Sequence, residues 1–421
     1  MRFAFASYGT RGDVEPCVAI GRELVRRGHD VQMAVSTNLV EFAESAGLTA
    51  FGYGPDLQAL LEAQRSFWTC LFDSFWKIQD LIRLSHKVSE LATQCSGEMS
   101  MTLTSLADGA DLLFTGLVFE EQAANVAEYY DIPLAVLHFF PVRAHGQLLP
   151  MLPSPLIRSA MTLNEWVSWR MGKKVEDAQR RQLGLPKATG PLPRRVAERG
   201  SLEIQAYDEV CFPGLAAEWT KLNGQRPFVG ALTMELTTDT DDEVAAWIAA
   251  GTPPIYFGFG SIPVESAADT VAMIGAACAE LGERALVCAG WSDFSDVPHF
   301  EHVKVVGAVN FADSFPACRA VVHHGGAGTT AACLRAGVPQ LILSTLPDQP
   351  IWAACVRRLK VGSGRRFSTA TQESLVADLR RILAPQYVAR AREVATRTSN
   401  PAANITAATD LVENFARARC R

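Results

Sequence analysis

The period of the apolar positions changes repeatedly along this chain, and each change marks an element. Arg2–Tyr8 (RFAFASY) is a near-continuous apolar run, the pattern of a buried strand. Gly9–Asp13 (GTRGD) reads as a glycine loop, after which Val14, Cys17, Val18, Leu24 and Val25 recur at helical spacing up to a stop at Gly28. Asp30–Ser36 predicts a second strand and Asn38–Ala46 a second helix. Asp111–Gly116, the helix Glu120–Tyr130 and the strand Ile132–Phe140 add a further β-α-β step. Pro55–Leu106 interrupts this rhythm with a long helical stretch rich in aromatics. Pro141–Pro193, with several prolines and with Trp166 and Trp169, reads as irregular.

The second half restarts the pattern. Thr237–Glu243 is a polar, acidic loop by composition. Strands follow at Pro254–Gly258, Arg284–Ala289, Val303–Val306, Ala320–His323 and Gln340–Ser344, with helices at Ser266–Leu281 and Gly328–Ala336. Strands alternating with helices imply a parallel sheet covered on both faces, so the expected class is α/β with two doubly wound, Rossmann-like domains. The boundary is expected in Gly214–Leu232.

Composition narrows the function. The 421 residues, 48% of them apolar, suit two domains that each bury a core. Lys and Arg number 39 against 45 Asp and Glu, a net charge of −6, with no strongly basic segment, which argues against a nucleic-acid partner. The ten cysteines stand singly, without CxxC pairs, so neither zinc nor a disulfide framework is indicated, and a reduced, cytoplasmic setting is expected. The N-terminal apolar stretch is too short for a signal-peptide core, and no 18 apolar residues run together. Peripheral contact with the inner face of a membrane stays open.

Four loops after strands carry candidate chemistry, since ligands of such sheets bind outside the carboxyl ends of strands. Val321–Thr330 (VVHHGGAGTT) is the strongest. Glycines let backbone N–H groups approach an anion, a helix N-terminus adds donors and a favourable dipole, and His324 and Thr329 add side-chain donors, a set suited to a diphosphate. The plainer alternative is a strand-to-helix turn capped by Thr329. The spacing is neither GK[ST] nor GxGxxG, which removes kinase, ATPase and dehydrogenase readings. Gly258–Ser261 (GFGS) could place Ser261 on a phosphate oxygen, although a plain turn is the default. In GTRGD, Asp13 is either an N-cap carboxylate or a general base for an acceptor hydroxyl. In Leu346–Gln349 (LPDQ), Asp348 and Gln349 could hold sugar hydroxyls, or Asp348 could cap a helix. Trp291 could stack on a nucleobase or pack in a core.

Together, GTRGD, GFGS, HHGGAGTT and the DQ some twenty residues later resemble the family 1 glycosyltransferases of GT-B fold, especially the bacterial branch acting on antibiotics, sterols and mycobacterial glycolipids. The resemblance runs from Met1 to about Leu383. It implies an acceptor-binding domain, 1–214, a linker, 215–232, and a nucleotide-sugar-binding domain, 233–385, with the active site in the cleft between them. It further implies a helical segment, 386–421, crossing back to the first domain. By position Asp13 matches the catalytic base of an inverting reaction. His324, Gly326, Gly328, Thr329, Ser261 and Thr10 match diphosphate contacts, Asp348 and Gln349 the donor sugar, and Trp291 and Val309 the nucleobase.

The donor expected is a UDP- or dTDP-sugar, with no further cofactor and no metal, in keeping with the absence of a DxD motif in the HHGGAGTT region. Plant relatives carry a ribose-binding glutamate where Ala332 stands here, so dTDP is a live option, and the plant His-Asp catalytic pair is absent. Phe67, Trp68, Phe72, Phe75, Trp76, His138, Phe139 and Phe140 are candidates for a lipophilic acceptor pocket, against the alternative of core packing. A nucleotide-sugar 2-epimerase and a non-catalytic nucleotide-sugar binder or partner-activating protein are the rival readings.

Overall fold

A computed structural model describes residues 1–74, 76–148, 152–222, 224–234, 236–260, 266–290, 296–346 and 348–419, without the side chains of Phe72 and Asp73. Two compact units divide them. Met1–Phe67, Trp76–Leu232 and Asn400–Arg421 form the first, and Trp68–Phe75 with Thr233–Ser399 the second.

Each unit is built on one six-stranded parallel sheet. In the first, β1 (Arg2–Ser7), β2 (Asp30–Val35), β3 (Thr49–Gly52), β4 (Leu112–Thr115), β5 (Leu134–His138) and β6 (Leu202–Gln205) lie in the order β3-β2-β1-β4-β5-β6. In the second, β7 (Ile255–Gly258), β8 (Ala285–Cys288), β9 (Val303–Val306), β10 (Ala320–His323), β11 (Gln340–Ser344) and β12 (Gly362–Arg366) lie in the order β12-β11-β10-β7-β8-β9. The two orders are the same topology. Each reverses direction once, between β1 and β4 and between β7 and β10, where loops from adjacent strands part and leave room for a ligand.

The strands are apolar on both faces because helices cover both. Along β7 and just beyond it, Ile255, Phe257 and Phe259 join one core layer with Val271, Ile274 and Leu379. Tyr256 points the other way, into a layer with Leu286, Phe315 and Cys333. The helix Pro401–Arg419 belongs to the first unit. It buries Ala408, Val412 and Ala416, and Arg27 pairs with its Asp410 and Glu413 at 2.6 and 3.0 Å.

Two expectations need correction. The edge strands β3, β6 and β12 were not foreseen; β12 reads GSGRR and carries no apolar side chain to announce it. The region Pro141–Pro193 is not irregular throughout, because Ser154–Gln182 is a 29-residue helix, the longest described. Its pattern is hidden because its polarity is reversed. Glu176, Gln179 and Arg180 are buried while Leu163, Trp166 and Met171 are exposed.

Candidate active site

The loop after β1 is held from three sides. Gly9 donates its N–H to Ser36 Oγ at 2.8 Å, and the same hydroxyl donates back to the Gly9 carbonyl at 2.9 Å. Gly9 sits at φ +135°, and a Cβ there would lie 2.3 Å from Asp13 Oδ2, so only glycine lets that carboxylate fold over the turn. The helix Arg11–Arg26 begins with a capping box in which Thr10 is the N-cap and Asp13 the third helical residue. This corrects the expectation of Asp13 as N-cap. Thr10 donates its N–H and its hydroxyl to Asp13 Oδ2, at 2.7 and 3.0 Å. Asp13 is half-buried, so its carboxylate is oriented yet reachable.

In the second unit the loop after β10, the neighbour of β7 where the strand order reverses, carries two histidines that divide the work. His323 is fully buried; its Nε2 lies 3.0 Å from Gln340 Oε1 and its Nδ1 accepts from Gly325 N–H at 3.2 Å. Those partners fix the tautomer with hydrogen on Nε2. Burial, with the neighbouring His324, pulls its pKa down to about 3. His324 is half-buried, with Nδ1 inward and without a hydrogen-bond partner among the described residues. Burial lowers its pKa to about 4, the Gly258 backbone pulling weakly the other way without reaching hydrogen-bond geometry. Both rings are therefore neutral at pH 7.

Glycines frame the His324 ring. A Cβ at Gly260, itself at φ +64°, would lie 2.6 Å from His324 Cε1, and one at Gly326 would lie 2.7 Å from Nε2. Gly326 is the N-cap of the helix Ala327–Ala336, which corrects the expectation of Thr329 as cap. The first helical bond described is from Thr330 N–H to the Gly326 carbonyl at 2.9 Å. The amides of Ala327, Gly328 and Thr329 therefore precede the ladder at the positive end of the helix, where an anion is stabilised. Gly328 and Thr329 are half-buried beside them.

One strand over, Asp348 is the N-cap of the helix Gln349–Leu359, and burial raises its carboxyl pKa. Gln349 is buried. Its Oε1 accepts from Thr345 N–H at 2.6 Å and Leu346 N–H at 2.9 Å, so the residue braces its own loop and offers a ligand only its amide hydrogens. It also backs onto the His324 loop, since a Cβ at Gly325 would lie 3.1 Å from Gln349 Cβ. The Val309 side chain packs in the core with Tyr256 and Phe315, which leaves its backbone for any contact with a base. Ala332 is in the same layer. Ser261 and Trp291 lie outside the described residues, as does Phe75. Asp241, in the Asp239-Thr240-Asp241 spacing, accepts from Thr238 and Asn310 N–H groups at 2.6 and 2.8 Å, so it serves a helix start.

The aromatic candidates separate. Phe67, Trp68, Phe139 and Phe140 are half-buried, the last two in edge contact at 5.5 Å, and Trp76 is largely exposed. Phe72 has no described side chain. His138 does not line an open pocket. It is fully buried at the end of β5, 3.6 Å from Glu120 in an ion cluster that sequence reading missed because its members are scattered. Arg143 bonds both Glu120 and Glu203, and Arg226 reaches Glu203 at 2.6 Å. Burial would raise the Glu120 carboxyl, but Arg143 and His138 outweigh it and hold its pKa at about 2. Glu120, His138 and Glu203 have ligand atoms within 4.8 Å of one another, as a metal site would, but Arg143 already supplies the cation between the two carboxylates.

This loop geometry on twin parallel sheets is that of the GT-B glycosyltransferases. Residues 3–92 match the model of the glycosyltransferase family 28 N-terminal domain, and residues 264–414 that of the C-terminal domain of erythromycin biosynthesis protein CIII-like proteins. An uncharacterised glycosyltransferase of Mycobacterium tuberculosis is 62% identical over 420 residues, 99% of each chain. Glycosyltransferase GtfE of Amycolatopsis orientalis is 29% identical, spanning 94% of this chain and 93% of its own. A sterol 3-beta-glucosyltransferase of Arabidopsis thaliana is 26% identical, spanning 95% and 66%. Among solved structures, glycosyltransferase VinC in complex with dTDP superposes with a TM-score of 0.64 at 19% identity, over 100% of this chain and 99% of its own. The chain belongs to the GT-B glycosyltransferases and is related to those of antibiotic biosynthesis. Among the described residues no helix is long and apolar enough to cross a membrane.

Proposed function

We propose that the chain moves a hexose or 6-deoxyhexose from a UDP- or dTDP-sugar to a hydroxyl of a lipophilic acceptor, with inversion at the anomeric carbon. The observation that carries this reading is the His324 loop, where a neutral imidazole framed by Gly260 and Gly326 stands beside the leading amides of the helix Ala327–Ala336. In the reaction, the Asp13 carboxylate takes the proton of the acceptor hydroxyl as that oxygen bonds to the anomeric carbon. The bond from this carbon to the β-phosphate oxygen breaks, and its electron pair leaves with the nucleoside diphosphate. Negative charge grows on that phosphate, and fixed donors aimed at growing charge are a large part of catalysis. Imidazole and amide donors can do this without a metal ion or further cofactor.

Thr10, Thr329 and Ser261 complete the diphosphate set, Asp348 and the Gln349 amide take sugar hydroxyls, and Trp291 with the Val309 backbone takes the base. Residues 1–214 serve the acceptor and 233–385 the donor, and the segment 386–421 leads back to the first domain, which the chain rejoins at Asn400. The dTDP held by VinC and the core placement of Ala332 keep thymidine beside uridine. The half-buried aromatics Phe67, Trp68 and Phe139, with the sterol-glucosylating relative, support an apolar acceptor. Calorimetric titration with UDP, dTDP and GDP without added metal is the test. Binding of UDP or dTDP that His324→Ala abolishes is expected; binding of none of the three would overturn the reading.

A further inference from the structure

The helix Ser154–Gln182 is fastened at its C-terminal end. Gln179 bonds Asn125 at 2.8 Å, Arg180 bonds Glu128 at 2.7 Å, and Glu176 bonds Arg195 and, at 2.9 Å, Trp169. Before Glu176 only Ile157 is buried. Leu156 (59% exposed), Leu163 (61%), Val167 (42%) and Met171 (81%) recur seven, four and four residues apart and form one stripe. At 1.5 Å per residue that stripe is about 22 Å long. Trp166 flanks it, and Arg170 and Lys174 fall on the same face, the Arg170 guanidinium 5.5 Å from the Trp166 ring.

Charge identifies the occupant. The acids of this helix are all engaged: Glu165 and Glu176 point away from the stripe, Glu165 onto Ala144 N–H at 2.8 Å and Glu176 as above, and Asp177, at the C-terminal end of the face, is mostly covered and paired with Lys173 at 3.1 Å. Arg158, also exposed, is neutralised by Glu218 at 2.7 Å. The stripe thus carries apolar side chains, a tryptophan and the two cations Arg170 and Lys174, on a chain whose net charge is −6. A second copy docked on it would bring those cations into an apolar seam where the one acid of the face, Asp177, is already paired with Lys173, a costly desolvation. An anionic lipid surface fits every component. Apolar side chains enter the acyl boundary, tryptophan favours the headgroup level, and long cationic side chains reach lipid phosphates.

We propose that the outer face of Ser154–Gln182 is a docking surface for an anionic lipid bilayer, holding the chain on the membrane without spanning it. The proposal is independent of the transfer reaction, and its test needs neither nucleotide nor acceptor.

The full chain is sedimented with vesicles of phosphatidylcholine alone and of phosphatidylcholine mixed with phosphatidylglycerol, at low and high salt. Binding to the anionic vesicles that weakens with salt is expected. Leu163→Glu with Val167→Glu should weaken it about tenfold or more by removing apolar contact. Arg170→Glu with Lys174→Glu should weaken it by at least about fivefold per site. These side chains are exposed, so both pairs should melt at the wild-type temperature, and two separate pairs guard against one failing to fold. No binding to anionic vesicles, equal binding to both vesicle types, or binding unchanged in both folded pairs would overturn the proposal. So would a wild-type dimer in sedimentation that Leu163→Glu dissociates, since a second copy would then be the occupant.

Discussion

Asp13 and Thr10 hold each other: both donors of Thr10, its N–H at 2.7 Å and its hydroxyl at 3.0 Å, converge on the single oxygen Oδ2 of Asp13. The arrangement fixes the carboxylate plane before any substrate arrives. Asp13→Asn keeps an acceptor oxygen for Thr10, so the capping box and the melting temperature should hardly change. Turnover should fall by about 10²–10⁴-fold, the contribution of a positioned general base. Steady-state rates, with calorimetry showing nucleotide binding intact, check this. Unchanged turnover would remove Asp13 from the mechanism.

The histidine pair predicts a pH dependence of stability. His323 and His324 titrate near 3 and 4 in the folded chain, below the ordinary 6.5. The unfolded chain therefore takes up protons that the folded one refuses as the medium is acidified below 6.5, so the stability these rings contribute is present above 6.5 and is lost as pH falls towards 3. Urea midpoints measured from about pH 7.5 down to about pH 4.5 should decline, with a shallower slope in the His323→Gln, His324→Gln double variant. Equal slopes would contradict the buried neutral assignment.

Glu121 predicts the opposite sign. Burial, then the Glu176 charge, raises its carboxyl pKa to about 7, against opposing pulls from Arg195 and Arg180. A raised carboxyl favours the folded state while protonated, so its contribution is full below 4.5 and is lost as pH rises through 7. Glu121→Gln should accordingly raise the melting temperature at about pH 8 and leave it nearly unchanged at about pH 4.5. Thermal scans at the two pH values decide the matter.

Arg143 sits between Glu120 and Glu203, all three buried. Arg143→Ala would leave two carboxylates facing each other in the core with only Arg226 and the His138 ring as partners, a loss of about 3–5 kcal/mol. Denaturant unfolding measures it. A cost under about 1 kcal/mol would mean that solvent reaches the cluster.

Most of the architecture was legible because nine of the twelve strands are short, largely apolar runs and most of them are followed by helical periodicity, as β10 and its glycine loop illustrate. The strand β12 escaped because a glycine- and arginine-rich edge needs neither alternation nor apolarity to pair with β11. The helix Ser154–Gln182 escaped because hydrophobic periodicity is read on the assumption that apolar means inward, and here the inward side is ionic. At the site, spacing brought the His324 and Gln349 loops to adjacent strands but could not assign the hydrogen bonds. His323 as the brace of its own loop and His138 as part of an ion cluster depend on contacts between residues remote in sequence, and the Gln349 brace, though local, depends on a side-chain orientation that spacing does not encode.

The chain leaves the first unit at Leu232 and rejoins it at Asn400, and the helix Pro401–Arg419 closes over Arg27. During synthesis the first sheet therefore leaves the ribosome early but waits for its last covering helix until the whole second unit has been made. In that interval the surface later covered by Ala408, Val412 and Ala416 is open to water or to a chaperone. Truncations that end near Leu232 should be far more prone to aggregate than cuts made in the finished protein at the same point.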